Sequence, residues 1–171
     1  MDINRHIERL GSDAEVIRRL LGGLSDEQAR WKPAPDRWSL LEVVNHLADE
    51  EREDFRARLD GILHHPDRPW PRIDPFNWVD QRAYNERSLD TSVRAFLTER
   101  EHSLKWLRGL SHPAWQAAHA LADGATLRAG DIMVSWVAHD FFHIRQITNL
   151  LWESLTLAAQ PYSTAYAGPY A

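Results

Sequence analysis

Ile132-Met133-Val134-Ser135-Trp136-Val137-Ala138-His139-Asp140-Phe141-Phe142-His143-Ile144-Arg145-Gln146-Ile147 is the stretch that decides the fold. Ile132, Trp136, His139, His143, Gln146 and, beyond it, Leu150 recur at steps of three and four, the period of one face of an α-helix. Imidazoles four apart on such a face are neighbours and can chelate one ion. Because His139 and His143 continue an apolar stripe, they are expected to look into the protein, where polar groups need partners. A shared metal ion accounts for two stacked interior histidines with one ligand. Two core histidines, each with its own hydrogen bonds, is the plainer alternative.

Working outward, a helix over roughly Thr126 to Leu155 carries this stripe. Three more segments share its period. The first runs from about Asp2 to Leu24 through Ile3, Ile7, Leu10, Ala14, Ile17 and Leu21, and Gly22 and Gly23 end it. A connector with Pro33 and Pro35 interrupts helix until Ser39, which stands three residues before Glu42, the capping-box spacing. From there a second helix is predicted to run unbroken to about Leu63. A third is predicted from an N-cap near Asp90 to about Leu110, with Val93, Phe96, Leu97, Leu104 and Leu107 as its stripe. The loop from Ser111 to Ala125 holds Pro113 and Gly124, and no segment alternates as a strand would.

Four helices with long connections predict an all-α four-helix bundle. The crossover from His64 to Ser88 is rich in proline and aromatic residues, so it is expected to be ordered, packed on the bundle and functional. Residues 1–157 are read as one domain and residues 158–171 as an irregular tail.

The interior pair needs a ligand from another helix, and the second helix offers His46, with Val43 and Glu50 projecting to the same side. A carboxylate on that stripe is costly unless partnered. Glu50 is a candidate fourth ligand, a partner to a ligating histidine, a general base, or a surface ion-pair partner of Arg52 or Arg56. His6 and His102 read as solvated, and His64 and His65 as companions of a helix C-terminus. His112 and His119 read as loop residues. Arg100 falls on the third helix's stripe, from which it is expected to snorkel outward rather than pair with an interior carboxylate.

Composition narrows the function. The absence of cysteine removes disulfides, thiolate ligands and cysteine nucleophiles, and it fits a cytoplasmic protein. A net charge of −5 with interspersed signs leaves no basic footprint for nucleic acid. The uncharged run Ile132 to Ala138 is too short to cross a bilayer, and Met1 to Arg9 are too polar for a signal peptide.

Three blocks together resemble the DinB-like superfamily, which includes YfiT-like metal-dependent hydrolases and bacterial thiol S-transferases. They are Trp31 to Glu42 leading into His46-Leu47, then Trp78-Val79-Asp80-Gln81-Arg82-Ala83-Tyr84, then His139 to Ile147. The resemblance implies the bundle fold, a homodimer, and a divalent ion held by His46, His139 and His143. For that ion zinc, nickel or iron suits three imidazoles. It leaves the reaction open. One expectation is an enzyme acting on a small molecule, in which the ion activates water or a diffusible thiol such as bacillithiol, mycothiol or glutathione. Glu50 then accepts the proton, and Trp70, Trp78 and Tyr84 wall the pocket. The others are a non-enzymatic metal-binding or stress-response module and an inherited site that no longer holds metal.

Overall fold

Short polar side chains start most of the helices by accepting a free backbone N–H. In the computed structural model, which describes residues 2–70, 72–121 and 124–168, Asp2 caps α1 (Ile3–Leu21), and Ser25 caps the short α2 (Asp26–Arg30). Ser39 caps α3 (Leu40–Glu50) through the reciprocal box with Glu42. The chain then widens into a π-helical turn, Glu51–Phe55, closed by the Arg56 N–H on the Glu51 carbonyl, before α4 (Arg56–His64). Asp74 caps α5 (Pro75–Gln81), which has proline in its first turn. Ser88 caps α6 (Leu89–Gly109), and the Asp131 carboxylate takes the Arg128 N–H at 3.0 Å where α7 (Ala129–Ala158) begins.

These elements make a four-helix bundle of α1, the α3–π–α4 segment, α6 and α7. Both α1 and the α3–π–α4 segment pack on α6 and on α7, so the helix of His46 lies beside that of His139 and His143. Two apolar clusters fill the interior. Ile17, Leu41, Leu47, Phe96 and Ile147 belong to one, and Leu10, Leu59, Met133 and Trp136 to the other. Among the described residues no helix is long and apolar enough to cross a membrane.

Several local expectations give way. The second helix is interrupted by the π turn rather than continuous. The third starts at Ser88, because that hydroxyl, not Asp90, takes the Thr91 N–H. The fourth starts three residues later than its periodicity implies. Thr126–Arg128 is instead a strand, β2, antiparallel to β1 (Ala118–Ala120) with His119 opposite Leu127. With three residues each, these strands are too short to show alternation. The crossover is ordered as expected but holds α5 and a 3₁₀ turn, Tyr84–Glu86. Together with α2 it covers the outer side of α3, which is why all eleven α3 residues are buried. The expected irregular tail contains a 3₁₀ turn at Ala165–Ala167, and its last residues lie outside those described.

Candidate metal centre

Burial of α3 on every side places His46 and Glu50, one helical turn apart, in the interior. His139 and His143 face them from α7. One ring nitrogen from each of His46, His139 and His143 can be chosen so that all three lie within 4.8 Å of one another. The Nε2 atoms of His139 and His143 are 3.0 Å apart. Glu50 Oε2 lies 2.9 Å from His139 Nε2 and 3.5 Å from His46 Nε2. Nitrogens sharing an ion at bond lengths of about 2.1 Å stand roughly 3.0–3.4 Å apart; the His139–His143 pair has that spacing, and His46, within 4.8 Å, would close in by an ångström or so on a shared ion.

The hydrogen bonds agree with that use. His143 Nδ1 is 2.8 Å from Gln146 Oε1; since the amide oxygen only accepts, the ring N–H is on Nδ1 and Nε2 keeps its lone pair. His46 Nδ1 is buried without a hydrogen-bond partner among the described residues. Burial pushes the His46 and His143 imidazoles down to about 3 and His139 down to about 4. All three are therefore neutral at physiological pH, the form that binds metal. Burial raises Glu50 above the usual carboxylate range, against the pull of His46. The residues fit a divalent ion, with Glu50 beside it.

A cavity of about 460 Å³ opens onto this cluster. Its walls differ from those expected. Trp70, Trp78 and Tyr84 do not line it; Trp38, Phe55, Phe76 and Phe142 do. Trp70 is stacked on His119 at 4.3 Å and carries Arg58 on its face, whereas Tyr84 is fully buried and donates to Asp49 at 2.6 Å. Trp78 lies against Arg82. Trp38 meets the His46 ring edge-on at 4.8 Å and Phe76 at 5.9 Å. Asp54 also lines the cavity, and burial lifts it to about 6 although Arg58, 2.7 Å away, pulls it down. Trp38 sits just before a strong helix start and Phe76 in the first turn of a proline-initiated helix, but neither position marks a pocket wall without tertiary contacts.

Glu50 forms no surface pair with Arg52 or Arg56, which bond Asp49 and Glu99 instead. Arg100 does not snorkel. It is 2 % exposed, because carboxylates from two other helices reach it. It donates to Glu51 at 2.6 Å, to both Asp140 oxygens at 2.6 and 2.8 Å, and to the Leu10 carbonyl at 2.6 Å. Trp136 Nε1 donates to the same Glu51 oxygen at 2.7 Å. Each carboxylate is the chain neighbour of a site residue, Glu51 of Glu50 and Asp140 of His139. Sequence reasoning missed both; Asp140 was in plain view between the histidines.

A family model described as the DinB superfamily matches residues 10–147. Among solved structures, YfiT from Bacillus subtilis, described as a probable metal-dependent hydrolase with an unusual four-helix bundle topology, superposes with a TM-score of 0.77 at 18% identity. The match covers 88% of this chain and 86% of that one. No curated protein matches the chain significantly.

Proposed function

The chain belongs to the DinB superfamily, and from that premise we propose that His46, His139 and His143 hold a divalent metal ion in a hydrolytic or thiol-transferring site. The convergence of the three imidazoles within 4.8 Å carries this reading. The description of the similar YfiT structure as a probable metal-dependent hydrolase supports it. An ion there would supply Lewis acidity, lowering the pKa of water or of a small thiol. Glu50 is the proton acceptor. Its Oε2 is within 3.5 Å of two of the imidazoles, and burial raises its pKa, which makes it a stronger base than an exposed carboxylate. Gln146 orients His143. With no cysteine in the chain, a sulfur nucleophile has to be a diffusible cosubstrate.

Elemental analysis of tag-free protein tests the ion. About one zinc, nickel or iron per chain is expected, with loss in His139→Ala. Absence of metal from protein refolded and dialysed against each ion would overturn the reading. Glu50→Gln is expected to retain the ion while losing whatever turnover a screen of small esters, amides and thiol acceptors detects. An ion-loaded protein inactive throughout that screen would point instead to a metal-binding module.

A further inference from the structure

Four aromatic rings line the cavity, and two of them are left in water. Phe76 is 78% exposed and Phe142 52% exposed. Phe76, from α5, reaches Trp38 at 5.9 Å, which joins the crossover and the connector into one wall. Phe142, from α7, stands at 90° to the His143 ring at 5.0 Å, and Phe55 is 5.0 Å from His139. Large rings held open around a concavity are a surface that a ligand covers.

The charges around the same cavity are one-sided. Glu50 and Asp54 line it, and among the described residues no lysine or arginine does. Arg58 is engaged by Asp54 and by the Trp70 face, and Arg145 lies over the Phe142 ring at 5.5 Å, outside the lining. An anionic group seated among these rings would lose its water without gaining a cation, in the company of two carboxylates.

Resting on the reading of the three histidines as ligands of an ion, we propose that the site takes a small substrate whose non-reacting end is an uncharged aryl or branched alkyl group, seated among Trp38, Phe55, Phe76 and Phe142. The cavity, about 460 Å³, accommodates one such molecule. Ligands bearing several carboxylates or phosphates, glutathione and bacillithiol with two carboxylates each included, are discriminated against, because among the described residues no lysine or arginine lines the cavity.

Calorimetry on ion-loaded protein with acetohydroxamate, benzohydroxamate and 4-carboxybenzohydroxamate tests this, since all three share one metal-binding group. Benzohydroxamate is expected to bind at least about tenfold more tightly than acetohydroxamate, from ring burial and aromatic pairing. The 4-carboxylate is expected to cancel that gain. Phe76→Ala combined with Phe142→Ala should weaken benzohydroxamate while leaving ion content and acetohydroxamate affinity unchanged. Equal binding of aceto- and benzohydroxamate, or tightest binding of the carboxylate, would overturn the proposal while leaving the ion reading intact. Protein that takes up no ion would overturn the ion reading and the proposal with it, whereas loaded protein that binds none of the three would overturn the proposal alone.

Discussion

Replacing Arg100 by methionine removes one cation and strands two carboxylates, both at most 2% exposed. Methionine keeps much of the unbranched stem, so the loss is electrostatic rather than a cavity. Breaking a buried pair from one side costs about 3–5 kcal/mol. For a chain this long, each kcal/mol corresponds to about 2–4 °C in melting temperature, so the metal-free variant should melt about 6–20 °C lower. The cost also depends on pH, with a definite sign. Burial already lifts Asp140 to about 6, and Arg100 pulls it down. A raised carboxylate stabilises the folded state while protonated and costs stability as pH climbs from its unfolded value to its folded one. Without Arg100 the folded value rises further, so the penalty continues above pH 6. The deficit of Arg100→Met against the parent protein is therefore larger at pH 8 than at pH 6. Circular dichroism melts at both values, with the triple variant Arg100→Met, Glu51→Gln, Asp140→Asn alongside, decide the matter. The triple variant should recover more than half of the loss at pH 8, because neutral amides need no cation. A deficit under about 1 kcal/mol, or one equal at both pH values with no recovery in the triple variant, would refute the reasoning.

Three further outcomes follow from individual contacts. Gln146→Leu removes the acceptor that orients His143 and should weaken metal affinity about 10–100-fold, measured by competition with a chromogenic chelator, with little change in metal-free stability. Tyr84→Phe leaves the buried Asp49 carboxylate short of one donor and should cost about 1.5–3 kcal/mol in urea unfolding without altering metal affinity, since Tyr84 does not line the cavity. Ser39→Ala removes the α3 cap and a 2.7 Å bond to Asn85 and should cost about 1–2 kcal/mol in the same assay.

The helical stripes were legible because each long helix buries one face at the 3.6-residue period, and the Ser39–Glu42 box marked the start of α3 to the residue. The inward direction of His143 followed from the same periodicity, whereas His46 and Glu50 share their burial with every residue of α3, which the connector and crossover cover. What stayed hidden depends on contacts between distant segments. Arg100 looks like a cation able to snorkel until two acids more than 35 residues away, Glu51 and Asp140, converge on it. The π turn has no local signal, since Glu51-Arg52-Glu53-Asp54-Phe55 reads as ordinary helix. Trp38 and Phe76 become pocket walls only once the connector and the crossover fold over α3.

The placement of the polar residues along the bundle explains why the site can be so closely set. Asp13 lies between Leu10 and Ile17 on α1, Glu50 and Glu51 between Leu47 and Phe55, Arg100 between Phe96 and Leu107, and Asp140 and His143 between Val137 and Ile147. In each case the flanking apolar residues belong to different core clusters. All these polar residues are buried, so a polar layer crosses the bundle at one level. Such a layer is a poor source of stability, because desolvation offsets most of the attraction. It does specify register. Apolar helix faces can slip by one turn, about 5.4 Å, and still bury similar area. Arg100 cannot, because it bonds α1, the π turn and α7 at once from α6. The π turn extends that constraint to the cavity: Glu51 turns to Arg100 while its neighbour Glu50 faces the histidines, and Asp54 and Phe55 both reach the lining. A slip that moved His139 relative to Glu50 would have to break the Arg100 bonds first. The geometry that brings three imidazoles within 4.8 Å is thus held by charges that never touch the cavity.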